Sequence, residues 1–193
     1  MNIGKYIAFL CLPLMVCSSF QNKSISIVKT EAQLAFEYLN QIRNNPAAFV
    51  NEYPFLKSTK IEQTSLRWND TLAQVAEAKA LEMAQKNYFS HTNKAGKGIN
   101  ILIHEAGYTL PADWIKPKSN NYFESIAAGK ENGIESIKIL LLDKGVPSLG
   151  HRKHLLGIGE FNKDLVDIGI GFVKGNAQTD YQSYCCIIIA KKE

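Results

Sequence analysis

Apolar positions recur with a helical period in the first two thirds of the chain and with the character of strands at its end. Ala35, Phe36, Leu39 and Ile42 form one stripe, which predicts a helix over Glu31–Asn44. Thr30 and Gln33 read as a capping box at its start. Asn45-Pro46 reads as the cap and first residue of a short helix through Val50, and Tyr53–Thr64 reads as loop. Asn69 is placed to cap a long helix over Asp70–Asn87, with Leu72, Val75, Ala76, Ala80, Met83 and Ala84 on one face.

The pattern then breaks. Tyr88–Gly98 carries Gly96 and Gly98, Asn100–Glu105 reads as a short helix stopped by Gly107, and Pro111–Ser119 reads as loop. Tyr122–Ala128 is a short apolar stretch ending at Gly129. Ile134–Asp143 predicts a helix apolar almost all round, closed by Gly145 and Pro147. Asp167–Val173 alternates through Ile168, Ile170 and Phe172, whereas Tyr184–Ala190 is continuously apolar, the pattern of a central strand. Helices first and strands last predict an α+β layered domain.

The N-terminus has a different character. Met1–Ser19 reads as a signal peptide: Lys5 supplies positive charge, Ile7–Val16 an apolar core, and Ser18-Ser19 a cleavage point. The run is shorter than the ~20 residues a membrane span needs, and Pro13 argues against a buried helix. Residues 20–30 then form a short N-terminal segment and 31–193 the folded domain. The expected location is secreted or periplasmic. Lipid anchoring at Cys17 is the alternative, although Leu14-Met15-Val16 lacks the small residue expected before a lipidated Cys.

Composition adds exclusions. The chain has 193 residues, 46% apolar and 21% charged, which fits one globular domain and excludes a disordered or multi-span membrane protein. A net charge of +4, spread evenly, does not mark a nucleic-acid binder. Cleavage of the signal would remove Cys11 and remove or expose Cys17. The remaining Cys185 and Cys186 are neighbours on a strand, facing opposite ways and poorly placed for a mutual disulfide. They read as packing residues in an exported domain that relies on an ordinary core. No exposed apolar stripe points to an oligomeric state.

Candidate chemistry sits at the breaks. His91 follows the long helix, Glu124 interrupts an apolar stretch, Asp143 ends an apolar helix, and His151 opens His151-Arg152-Lys153-His154. Two imidazoles and two carboxylates are a set that zinc or another divalent cation accepts. The bland readings are a solvated loop histidine and a helix-ending aspartate. Glu124 is the least comfortable as a bystander, because burying a lone carboxylate is costly. His151 and His154 could share a helix face, but no His-Glu-x-x-His occurs, nor a phosphate loop, dinucleotide fingerprint or nucleophile elbow. No organic cofactor is expected.

Leu66-Arg67-Trp68-Asn69-Asp70-Thr71-Leu72-Ala73, Phe89-Ser90-His91, Glu124-Ser125-Ile126-Ala127 and Gly150-His151-Arg152-Lys153 together resemble the bacterial branch of the CAP superfamily. That group comprises the cysteine-rich secretory, antigen five and pathogenesis-related proteins (the SCP domain). Val166-Asp167-Ile168-Gly169-Ile170-Gly171 is similar to its penultimate strand, and the match runs from about Leu34 to Ala190. The resemblance implies a three-layer α-β-α sandwich with a central antiparallel sheet and a surface cleft. The family's cleft tetrad falls on His91, Glu124, Asp143 and His151, with His91 and His151 as the metal-binding pair. Three positions depart from the family: Ser125 where Asn is usual, Leu140 where Trp is common, and Asp143 where Glu is frequent. The missing methylene retracts that carboxylate by about 1.3 Å.

Two functions follow from the resemblance. One is a non-catalytic cleft that binds an extracellular ligand: a lipid, sterol, peptide or partner protein. The other is a metal-assisted hydrolase with Glu124 as general base, of which a Ser90–His91 nucleophile is a weaker variant. A third reading assigns the tetrad to stability alone.

Overall fold

The computed structural model describes residues 24–61 and 65–192; the predicted signal peptide, with Cys11 and Cys17, lies outside them. The chain runs through β1 (Ser26–Ile27), α1 (Lys29–Asn44), β2 (Arg67–Trp68), α2 (Asp70–Gln85), α3 (Ile99–Glu105), β3 (Glu124–Ala128), α4 (Gly133–Leu142), α5 (Gly150–Leu156), β4 (Asp167–Lys174) and β5 (Ser183–Ala190). The sheet runs in the order β1-β4-β5-β3, so the two long strands are central and β3 lies at an edge. Helix α2 covers one face, with α3 against it; α1, α4 and α5 cover the other. The result is the expected α+β sandwich. Its sheet departs from uniform antiparallel pairing only at two-residue β2, which runs parallel to β4.

Alternate glycines set the closeness of one layer. A Cβ on Gly169 would fall 2.1 Å from the Ala73 nitrogen, and one on Gly171 would fall 2.3 Å from the Ala76 carbonyl carbon. Helix α2 therefore lies backbone-to-backbone on β4, which is possible because its facing residues are Leu72, Ala73, Ala76 and Ala80. On the other face of β4, Ile168, Ile170 and Phe172 are fully buried. The alternation of this strand thus records two different covers rather than a wet face and a dry one.

Several local expectations change. The α1 cap is Val28 with no side-chain bond, and Thr30 lies inside the first turn, so Thr30 and Gln33 form no capping box. The helix starts early because β1 pairs with the end of β4 and the Val28 amide donates to the Phe172 carbonyl at 2.8 Å. Ser26–Ile27 and the residues that follow are accordingly part of the fold. The short segment after Asn45 is a 3-10 turn, Pro46–Phe49, without an Asn45 side-chain cap. Further 3-10 turns occupy Pro54–Lys57 and Ala112–Ile115, inside the stretches read as loop. Asn69 does cap α2, accepting from the Leu72 amide at 3.1 Å. Helix α4 stops at Leu142 because Asp143 takes a left-handed conformation, φ 49°.

Two buried polar groups fix α5. Arg43, fully buried on α1, donates to the Leu155 carbonyl at 2.9 Å, near the α5 C-terminus where a cation is favoured. Burial lowers its pKa to about 10. His154 turns inward, its Nδ1 2.8 Å from Ser125 Oγ on β3 and its Nε2 3.3 Å from the Ile189 carbonyl on β5. Burial drives its pKa down from 6.5 to about 4, with small additions from the charges of His151, Arg43 and His91.

Two stability measurements test this arrangement. Gly171→Ala forces a methyl into the α2 backbone and should cost about 2–3 kcal/mol, lowering Tm by roughly 5–10 °C. An unchanged Tm would show that the layers are not in backbone contact. The second concerns pH. Folded His154 is neutral, whereas an unfolded histidine binds a proton below about pH 6.5. Its contribution is therefore complete above that pH and is lost as pH falls toward 4, by on the order of 2–3 kcal/mol. Urea titrations across this window should show that loss in the native chain and not in His154→Asn. Parallel curves would contradict it.

Candidate functional site

Edge strand β3 carries the site because its successive side chains enter different layers. Glu124 and Ile126 face α2, while Ser125 and Ala127 face α4 and α5, in agreement with the Ser125–His154 bond. The Glu124 side chain is fully buried and both oxygens have partners. Oε2 lies 2.7 Å from His91 Nδ1, and Oε1 accepts the Cys186 thiol at 3.3 Å. Burial, then the Glu124 charge, pushes the Cys186 thiol well above its usual range, so it stays protonated as a donor.

His91 is held by its main chain as well as its ring. Lys79, buried on α2, donates to the His91 carbonyl at 3.2 Å and contacts the Tyr88 hydroxyl at 3.3 Å. The Tyr88 hydroxyl donates to Glu82 at 3.0 Å, and burial with the Glu82 charge raises its pKa. Asn93 closes the loop by accepting from the Ala95 and Lys97 amides. Ser90 Oγ accepts the Thr92 amide at 3.2 Å, a local turn contact.

The second pair lies on the other side of β3. Asp143, at the left-handed end of α4, places Oδ1 2.7 Å from His151 Nδ1 and accepts the Arg152 amide on Oδ2 at 3.2 Å. Arg152 then turns back over α4: its guanidinium donates to the Leu141 and Leu142 carbonyls at 2.7 Å each and stacks 3.9 Å from the Phe55 ring centre. Those carbonyls would otherwise end the helix without partners. Arg152 thus couples the end of α4 to the start of α5 and sets the Asp143–His151 register. The shorter Asp143 reaches its imidazole because the left-handed turn brings it there.

The two pairs share one arrangement. An ionised carboxylate only accepts, so each Nδ1 donates to its acid, and in the neutral imidazole this leaves Nε2 as the acceptor. The imidazoles are 40% and 27% exposed and the carboxylates 0% and 1%. The acids therefore lie behind the histidines as orienting groups. Among the described residues, no group of three or more His, Cys, Asp or Glu side chains is arranged to hold a metal ion. The four predicted residues form two carboxylate-backed imidazoles rather than one four-ligand cage. A carboxylate behind an imidazole is the arrangement that orients ligating histidines elsewhere, and each pair has it separately.

A recess of about 230 Å³ adjoins the second pair, lined by Phe89, Ile126, Ile139, Leu140, Asp143 and His151 among others. Leu140 forms part of this wall. Sequence reasoning did not flag Lys79, Cys186, His154 or Arg152 as site-supporting residues. Lys79 left one signal: a cation within the apolar stripe of α2, between Ala76 and Ala80.

Comparison with known proteins agrees with this architecture. The profile of the cysteine-rich secretory protein family (CAP) matches residues 36–188. Over 115 residues the chain is 30% identical to the uncharacterized protein YkwD of Bacillus subtilis (strain 168), covering 58% of this chain and 36% of YkwD. The chain thus spans about a third of that relative's length. Its fold is similar to an outer surface protein from Borrelia burgdorferi, at TM-score 0.57 and 19% identity, over 87% of this chain and 98% of that one. It is also similar to an extracellular SCP-domain protein from Bacillus anthracis str. Ames, at TM-score 0.53 and 22% identity, over 84% and 41%. With the profile matching residues 36–188, most of the chain, this chain belongs to the CAP family of cysteine-rich secretory proteins.

Proposed function

We propose that the protein is an exported CAP domain whose cleft binds a ligand without turning it over, and that His91 and His151 form its polar anchor. The observation that carries this reading is the state of the two acids. Glu124, the candidate general base, is fully buried with one oxygen on His91 and the other on Cys186. A base must reach the proton it removes directly or through one water. Here the carboxylates orient imidazoles, and the imidazole Nε2 atoms are the groups offered to a ligand. Export is supported by the Met1–Ser19 pattern and by the outer-surface and extracellular descriptions of the structural relatives. Among the described residues, no helix is long and apolar enough to cross a membrane.

His91 and His151 would hold a divalent cation such as zinc, which would supply a Lewis-acid contact for an oxygen or nitrogen of the ligand. Two protein ligands leave most of its coordination to water or to that ligand.

Calorimetric titration of the purified protein with zinc should give a Kd on the order of micromolar, lost in the His91→Ala/His151→Ala double variant. Asp143→Asn should weaken zinc by roughly tenfold or more while preserving the fold. Undiminished zinc affinity in the double variant, or none in the folded native chain, would contradict the anchor.

A further inference from the structure

The free edge of β3 opens into the recess beside the tetrad. In the β3–β5 ladder the Gly129 amide donates to the Ser183 carbonyl and the Ile189 amide donates to the Phe123 carbonyl. Antiparallel pairing alternates, so residues 123, 125, 127 and 129 direct their backbone groups toward β5. Residues 124, 126 and 128 direct theirs outward. Glu124 is satisfied locally, its amide donating to Asn121 Oδ1 at 3.1 Å and its carbonyl accepting from Asn121 Nδ2 at 3.5 Å. The outward N–H and C=O of Ile126 and Ala128 have no partner among the described residues. Both residues line the recess.

Unpaired strand edges are templates for another strand, and proteins usually blunt them. Here Asn121 blunts the first position and leaves the next two open. The surroundings suit an extended chain. Phe89, Ile139, Leu140 and Val146 form apolar walls, while Lys130 and Lys144 flank them. Neither lysine ammonium has a carboxylate partner among the described residues. The volume of about 230 Å³ lies below the roughly 300–1,000 Å³ of pockets that enclose whole small molecules. It fits a side chain of a longer ligand better than an entire lipid or sterol.

We propose that the cleft binds an acidic, extended peptide segment of a partner protein, which adds a strand to β3 through the backbone groups of Ile126 and Ala128. In this mode main-chain bonds supply affinity and the pocket between them supplies specificity. One apolar side chain of the peptide fills the recess, and its acidic residues meet Lys130 and Lys144. The proposal rests on the non-catalytic cleft reading and assigns it a ligand class.

The probe is a pool of fluorescein-labelled hexapeptides with acidic residues at both ends and a randomised apolar centre. Fluorescence anisotropy should report saturable binding to the native protein. Affinity should fall by roughly tenfold or more when the central peptide amides are methylated, removing the strand donors, and by a similar factor in Lys130→Glu/Lys144→Glu. Both changes leave the β-sheet of the protein untouched. Amide exchange followed by NMR should slow by roughly tenfold or more at Ile126 and Ala128 when peptide binds.

No binding by the folded protein would overturn the proposal, as would equal binding of the methylated pool or unchanged exchange at those two amides. Displacement of the pool by palmitate, together with methylation-insensitive binding, would point to an acyl-chain ligand instead and also overturn it. The zinc titration separates the two claims. Zinc bound without peptide removes the peptide alone, and neither bound removes the histidine anchor as well.

Discussion

Two carboxylates buried at the rim of an apolar sheet set the terms for the rest of this molecule. Glu124 and Asp143 have almost no exposed side-chain surface, and an unpartnered carboxylate in that position is costly. Each finds an imidazole at 2.7 Å, and each needs a second donor: the Cys186 thiol for one, the Arg152 amide for the other. Those requirements determine which residues come next. Cys186 must stay protonated inside the sheet, and Arg152 must sit where α4 ends and α5 begins. The histidines are thereby oriented from behind, each with its ring partly exposed.

The scaffold makes this possible by pressing its layers together. Gly169 and Gly171 let α2 lie on β4, and α2 carries Lys79, which holds the His91 main chain. On the opposite face, Arg43 and His154 tie α5 to α1 and to the sheet. The two imidazoles come from different layers, so their relative position depends on both faces being packed. Stability and site geometry therefore share causes, and a polar residue such as His154 contributes to the site without facing any ligand.

What was legible in the sequence was local. The periods of α1, α2 and α4, the Asn69 cap and the two long strands followed from spacing, because each depends on neighbours along the chain. Thr30 misled for the opposite reason: pairing of β1 with β4 starts α1 earlier than capping chemistry suggests. Resemblance singled out these four residues, but not their division into two acid-backed imidazoles, since the pairing of Glu124 with His91 and of Asp143 with His151 is tertiary. Ser125 shows the same limit. Its hydroxyl bonds buried His154, a partner on another element. Cys186, read as packing, is also a donor to Glu124 for reasons visible only across the strand pair.

The central claim is that buried carboxylates fix both imidazoles with Nδ1 protonated and Nε2 available. Long-range nitrogen–proton NMR correlation at about pH 8, above the ordinary imidazole range, reads this directly. The account predicts that His91 and His151 each appear as a single tautomer protonated on Nδ1. A proton on Nε2 of either ring, or the averaged signals of a freely exchanging surface histidine, would contradict it.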